Sequence, residues 1–213
     1  MKSKLRGVLT AALIAAMPAL GHTEDQPRFA APAADKLTPE QKAWAESISG
    51  PPRNAKFANP PYRAYIQSPE LAKRLSNLSD YLRWNTSLAP RLSEMAILIT
   101  ARQWTAQYEW FAHYPLALKG GLDPKVAEAL SLGKKPEGMK PDEAALYSLA
   151  TELYRDKKVS NASYKAALDQ FGERGIMDII GIIGYYDLVS MTLITMEARS
   201  PDNSVAPLPE LTK

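Results

Sequence analysis

The chain contains no cysteine among its 213 residues. This absence excludes disulfide bonds, thiolate nucleophiles and the metal or iron–sulfur sites that depend on cysteine ligands. Histidine is also scarce, because only His22 and His113 occur in the whole sequence. Of these two, His113 lies inside the predicted fold and is therefore the histidine available to a buried site.

A net charge of one sign is also absent once the first 21 residues are set aside. The sequence has 26 Lys and Arg residues, 23 Asp and Glu residues, and a formal net charge of +3. Residues 1–21 contribute Lys2, Lys4 and Arg6 and no acidic residue, so the rest of the chain carries 23 charges of each sign. A neutral composition gives no sign of a phosphate-binding surface, and we predict no nucleic-acid partner.

The first 21 residues have the pattern of a secretory signal peptide. Their three basic residues precede an apolar run over 7–20, which is too short for a comfortable membrane span. Small residues at Ala19 and Gly21 predict cleavage after Gly21. We therefore expect a periplasmic or secreted protein that leaves the membrane after cleavage. The alternative is an uncleaved membrane anchor.

The 192 residues that follow, 213 less the 21 of the signal, suffice for one domain with its own core. Residues 22–37 are rich in Pro, Ala and charge and predict a flexible leader. We place the helical domain at 38–200. Residues 201–213 form a Pro-rich tail, for which disorder and contact with a neighbouring subunit both remain open.

Helix-start signals recur along the domain and predict an all-α fold, a single-domain helical bundle. Thr38 with Gln41 forms a capping box, and Ser68 and Asp123 each precede a proline at the first helical position. No alternating apolar run predicts a strand. We expect helices that begin near residues 39, 69, 90, 108, 124, 141, 160 and 173, with a break or kink at Pro115 and a break at Gly172.

The last predicted helix, about 173–198, is apolar on most sides, which is typical of a buried or membrane-spanning helix. Asp178, Asp187 and Glu197 argue against a membrane span, because a carboxylate in the bilayer is costly. We interpret it as the central core helix, shared with a subunit interface of a homo-oligomer. We expect Asp187 to pair with an arginine, with a catalytic role as the alternative.

Glu109 and His113 are four residues apart and share one face of a continuous helix. A carboxylate beside an imidazole raises the imidazole pKa and orients the ring, which suits acid–base catalysis. Glu94, one helix earlier, reaches the same point if the two helices pack antiparallel. The alternative is an ordinary pair on the helix surface, worth a few tenths of a kcal/mol.

The region around these residues resembles the signature of the carboxymuconolactone decarboxylase family. Its all-helical fold is shared with alkylhydroperoxidase D-type proteins. The resemblance covers roughly 59–197. The matching motifs are Leu92-Ser93-Glu94-Met95-Ala96-Ile97-Leu98, Tyr108-Glu109-Trp110, His113, Lys119-Gly120-Gly121-Leu122, Phe171-Gly172-Glu173-Arg174-Gly175 and Gly184-Tyr185-Tyr186.

The resemblance also indicates which chemistry to expect. The alkylhydroperoxidase D-type members use a Cys-x-x-Cys pair, whose positions fall here on Ala106 and Glu109. Glu94 and His113 match the family, so the resemblance implies a cysteine-free branch that is not a thiol peroxidase. It implies acid–base catalysis by His113, Glu109 and Glu94 on a small carboxylic acid or lactone, with no metal and no organic cofactor.

Substrate-binding residues complete this hypothesis of a lyase. A substrate carboxylate is expected to bind Arg102 or Arg91, because a guanidinium holds it bidentately. Tyr108, Trp104 and Trp110 are expected to form the pocket wall. The alternatives are ion-paired arginines and core tryptophans. The alternative function is a non-catalytic periplasmic binding or assembly protein that retains the fold.

Overall fold

A computed structural model describes residues 27–211, and all regular secondary structure in that range is helical. This confirms the predicted all-α class. The predicted signal peptide and its cleavage site lie outside the described residues. After a short 3-10 helix at Ala34–Lys36, the helices are α1 Pro39–Ser49, α2 Tyr62–Tyr65, α3 Pro69–Trp84, α4 Pro90–Trp104, α5 Gln107–Lys119, α6 Pro124–Ser131, α7 Pro141–Asp156 and α8 Asn161–Thr195.

The helix starts follow the local chemistry of the sequence. Thr38 Oγ1 accepts a hydrogen bond from Gln41 N at 3.2 Å, and Gln41 Oε1 accepts one from Thr38 N at 3.0 Å. This reciprocal pair is the predicted capping box. Asp123 accepts from Lys125 N at 2.8 Å and caps α6. Proline occupies the first position of α3, whereas Ser68 makes no capping hydrogen bond there.

The two predicted breaks have different outcomes. Gly172 has φ 63° and ψ 178°, which interrupts the helical geometry of α8 at a conformation that glycine adopts readily. By contrast, α5 continues through Pro115 without a break. Pro115 is exposed, so water can bind the carbonyl that its missing N–H leaves unpaired.

The core centres on α4, which packs against α5, α6, α7 and α8. Every residue from Met95 to Arg102 on α4 is buried. Helix α8 is long and apolar enough to cross a membrane by length and composition. However, 56% of its most apolar window is buried in the fold, as expected of a core helix. Its outer face exposes Met177, Ile180, Met191 and Ile194.

The described parts of the leader and of the tail lie against the helical body. Arg28 Nη1 donates to Thr195 O at 3.1 Å at the end of α8. In the tail, Leu208 is only 3% exposed, and its backbone N–H and C=O both bond to the Gln107 side chain at 2.8 Å. The tail therefore packs on its own chain as far as Leu211.

Candidate active site

His113 lies between two carboxylates contributed by neighbouring helices. Its Nδ1 lies 2.6 Å from Glu94 Oε2 on α4, and its Nε2 lies 3.1 Å from Glu109 Oε1 on α5. Thr105 adopts the left-handed conformation at the end of α4, and the next helix begins two residues later. This short connection lets α5 pack directly against α4 and brings Glu94 to the Glu109–His113 pair.

The cluster is removed from solvent. Glu109 is 3% exposed and His113 is 5% exposed. The contact between Glu109 Oε1 and His113 Nε2 is close but lies outside hydrogen-bond geometry, so Oε1 has no hydrogen-bond partner among the described residues. The Glu94 contact is a hydrogen bond. Glu94 therefore orients the ring through Nδ1, while the Nε2 side remains less constrained.

The two carboxylates determine the charge of His113. Burial by itself lowers the pKa of the imidazole, because a charged ring loses hydration. The nearby carboxylates of Glu94 and Glu109 outweigh this effect and raise the pKa of His113 to about 9. The ring is therefore an imidazolium at neutral pH.

A cavity of about 170 Å³ lies beside the cluster. His113 and Glu109 both line it, as does Tyr108, one of the predicted wall residues. Polar and aromatic side chains from other parts of the fold complete its wall, among them Arg53, Tyr62, Arg83, Tyr185 and Tyr186. The segment between α1 and α2 lines one side of the cavity with Pro60 and Pro61.

Arg83 and Tyr186 are site residues that sequence reasoning did not select. Arg83 Nη2 lies 4.0 Å from Glu94 Oε1, and its guanidinium lies over the Trp84 ring at 5.5 Å. The Tyr186 ring packs edge-to-face on His113 at 5.1 Å, and burial raises the pKa of its hydroxyl. Tyr186 fell within a family-like motif, whereas nothing in the amphipathic pattern of α3 distinguished Arg83.

Neither arginine that we predicted for carboxylate binding lines this cavity. Arg91 pairs with Asp142 at 2.7 Å and with Glu143. Arg102 donates to the backbone carbonyls of Ser131 and Pro209 at 3.0 and 2.7 Å. Both guanidiniums are bound to partners outside this cavity, and Arg83 is the arginine that lies near Glu94.

The two predicted tryptophans also lie apart from the cavity wall. Trp110 is 2% exposed and packs on Tyr114 with ring centroids 5.7 Å apart, as a core residue does. Trp104 is 39% exposed and donates from Nε1 to Asp187 Oδ1 at 2.6 Å. Asp187 also accepts from Tyr154 at 2.9 Å, so its partners are aromatic donors and the expected arginine is not among them.

Within residues 27–211, no group of three or more His, Asp or Glu side chains is arranged to hold a metal ion. The cluster is a charged imidazole held against carboxylates, which is a group that can donate and accept protons.

The fold and site together define a cysteine-free, all-helical protein with a carboxylate–imidazole–carboxylate cluster at a cavity. No protein-family model matches the sequence, and no curated protein matches it. Solved structures do match it, among them two with the same fold. Both are less than 25% identical to this chain, so they establish the fold alone.

The first of these structures is a protein of unknown function from Agrobacterium tumefaciens, described as a putative antioxidant defence protein AhpD. It is 15% identical, with a TM-score of 0.55, over 66% of this chain and 97% of that one. The second is an uncharacterised peroxidase-related protein from Silicibacter sp. TM1040. It is 16% identical, with a TM-score of 0.64, over 84% of this chain and 94% of that one. The chain therefore has the alkylhydroperoxidase D-like fold.

Proposed function

We propose that the chain is an exported, cofactor-free acid–base enzyme that acts on a small carboxylic acid or lactone, like carboxymuconolactone decarboxylase. The observation that carries this proposal is the position of His113. Its imidazolium is held between Glu94 and Glu109 and lines a cavity. A thiol peroxidase mechanism is unavailable to this chain, which has no cysteine.

His113 is the proton donor in this proposal. Its Nδ1 is taken by Glu94, which is not among the residues that line the cavity and acts as a positioning residue. Its Nε2–H makes no hydrogen bond to Glu109, whose Oε1 lies 3.1 Å away, and is available to a substrate atom in the cavity. A pKa of about 9 keeps that proton in place at neutral pH until a more basic carbanion forms.

Arg83 is the proposed anchor for a substrate carboxylate. It lines the cavity, its side chain is 26% exposed, and its nearest carboxylate, that of Glu94, is 4.0 Å away. Arg53 also lines the cavity, but its guanidinium is taken by Asp80, Ser79 and the Ser76 carbonyl. Arg83 therefore has the freer donors for a bidentate contact with an acid.

The reaction proposed for an acid substrate is decarboxylation. In an acid with a carbonyl group β to the carboxylate, the bond between the carboxyl carbon and its neighbour breaks, CO₂ leaves, and the electron pair passes into that carbonyl group to form an enolate. The proton on His113 Nε2 then moves to the carbon that carried the carboxylate and leaves a neutral imidazole, which water reprotonates. The buried position of the cluster strengthens its electrostatic effect on the developing charge.

Export and self-association belong to the same proposal. Export is supported by the basic residues and apolar run of 1–21, and self-association by the apolar side chains exposed on α8. Neither changes the roles of the site residues. The substrate would be one that reaches the periplasm or the medium.

The proposal is tested by assaying the chain without residues 1–21 against a panel of lactones and β-keto acids, following CO₂ release and lactone loss. His113→Gln should lower kcat by about 10²- to 10⁴-fold, which is the usual contribution of a general acid. Arg83→Met should mainly raise KM for the acids. Glu70→Gln, which removes an exposed ion pair with Arg74, serves as the matched control and should leave turnover unchanged.

Two outcomes would contradict the proposal. One is full activity of a correctly folded His113→Gln variant, which would remove the imidazole from the mechanism. The other is the absence of turnover by the unmodified chain across the panel. The alternative, a non-catalytic binding or assembly protein that retains the fold, would then account for the cavity better.

A further inference from the structure

A second cavity, of about 250 Å³, lies between α4, α6 and α7. In the described chain it shares no lining residue with the cavity beside His113. Its apolar walls come from Ile99, Leu130 and Leu211, and from the rings of Tyr147 and Tyr154. Its volume equals that of about eight water molecules, so a ligand that fits it is small.

The charged residues that line this cavity are all basic within the described range. They are Arg102, Lys134 and Arg155. Arg155 forms an exposed ion pair with Asp156 at 2.6 Å, so much of its charge is already matched. Lys134 forms no ion pair with any residue of 27–211. The cavity therefore offers two unmatched positive charges beside apolar walls.

Arg102 is the unusual member of this set. It is 5% exposed, and its partners are uncharged: Thr105 Oγ1 at 2.6 Å and the carbonyls of Ser131 and Pro209. Its Nε has no hydrogen-bond partner within residues 27–211. Burial lowers the pKa of this guanidinium, and no carboxylate lies close enough to oppose the effect. A buried charge is normally paired with an opposite charge, and residues 27–211 supply none to Arg102.

We propose that this second cavity binds a small organic monocarboxylate with a flat apolar body. Arg102 and Lys134 supply the positive charge that matches the carboxylate, and Ile99, Leu130 and the tyrosine rings contact the apolar body. The combination of apolar walls and a few charged groups is the usual composition of a small-molecule site. The proposal does not depend on the chemistry of His113.

The tail forms one wall of this site. Leu211 lines the cavity and packs over Gly133, where an added Cβ would lie only 2.7 Å from Leu211 Cδ2. Arg102 holds the tail through the Pro209 carbonyl while lining the cavity with the same side chain. One residue thus joins the proposed ligand site to the segment that covers it.

The test is an NMR titration of residues 22–213 with benzoate as the probe. The protein is labelled at its Ile, Leu and Val methyl groups. Saturable shifts are expected for Ile99, Leu130 and Leu211, with Val189 at the other cavity unaffected. Arg102→Met should weaken benzoate binding at least tenfold, and Lys134→Gln severalfold. Lys125→Gln, an exposed lysine at the start of α6, is the matched control and should change nothing.

Neutral benzyl alcohol, which has the same ring, should bind at least tenfold more weakly than benzoate. Three results would overturn the proposal: equal binding of the two probes, shifts confined to Val189, or no saturable shift at all. If Arg102→Met fails to fold, Lys134→Gln decides the matter, because its exposed side chain can be replaced without disturbing the core. Unchanged benzoate affinity in that variant would then count against the site.

Discussion

His113 shows how two neighbours can reverse the effect of burial on one residue. A buried imidazole by itself favours the neutral form, yet Glu94 and Glu109 raise the pKa of His113 from 6.5 to about 9. The contacts that set this charge come from two helices. The ionisation of the ring is therefore coupled to the packing of α4 against α5, and so to the stability of the fold.

The stability of the fold should depend on pH through His113. The pKa of His113 is higher in the folded chain than the ordinary 6.5, so protonation favours folding. This stabilisation is fully present below about pH 6.5 and is lost as the pH rises through about 9. The free energy of unfolding should fall by on the order of 3 kcal/mol across that window. Urea unfolding measured at several pH values checks it.

His113→Gln is the reference for this measurement, because it removes the titrating ring and leaves every other group in place. The difference in unfolding free energy between the two proteins should shrink as the pH rises through about 9. If the difference in unfolding free energy stays constant between about pH 6 and about pH 10, the pKa of His113 is not raised in the folded chain.

Among the contacts between helices, those of Asp178 link the last helix, α8, to the first half of the domain. It is 4% exposed, and it accepts hydrogen bonds from Tyr81 Oη at 2.8 Å and from Ser87 N and Oγ at 2.8 and 2.7 Å. Burial alone would raise its pKa, but the bonds from Ser87 and Tyr81 outweigh burial and lower it. The carboxylate thus joins α8 to α3 and to the turn before α4.

Asp178→Ala should therefore lower the free energy of unfolding by about 2 kcal/mol, because three hydrogen bonds to a charged acceptor are lost. Asp169→Ala, on the same helix, removes an exposed ion pair with Lys165 and should cost less than about 0.5 kcal/mol. Chemical unfolding at neutral pH measures both.

The pH dependence gives a second check on Asp178. Its pKa is lowered on folding, so its stabilisation is present above the ordinary value of 3.8 and is lost as the pH falls through the lower folded value. The difference in unfolding free energy between the unmodified chain and Asp178→Ala should therefore become smaller in acid. Equal losses for the two alanine variants at neutral pH would show that α8 is held by its apolar contacts alone.

At the scale of the whole molecule, the features that sequence could predict are those set by short-range chemistry. The capping box of Thr38, the cap at Asp123 and the glycine break at Gly172 depend on residues within one helical turn. The same holds for Glu109 and His113, whose four-residue spacing places them on one face. The place of Glu94 depended on how α4 and α5 pack, and the family resemblance supported it because Glu94 matches the family's glutamate.

The rest of the site depends on packing between distant helices, which spacing does not encode. Tyr186 and Arg83 reach His113 and Glu94 only because α8 and α3 lie beside α5 and α4. The position of Arg102 outside the cavity beside His113 was unpredictable for a related reason. Helix α4 is buried on all sides from Met95 to Arg102, so its sequence marks no face as the one toward the cavity.

The position of the tail could not be predicted from local sequence either, because it depends on contacts between Leu208 and Gln107, which are 101 positions apart. Leu208 is 3% exposed, so Leu208→Ala should remove apolar contacts and release the tail locally, without unfolding the helices. The backbone amide of Leu208 should then exchange with solvent at least tenfold faster, as measured by hydrogen exchange. Glu210→Ala, an exposed neighbour in the tail, should leave that rate unchanged. Equal rates in all three proteins would mean that the two hydrogen bonds between Leu208 and Gln107 hold the tail without its apolar anchor.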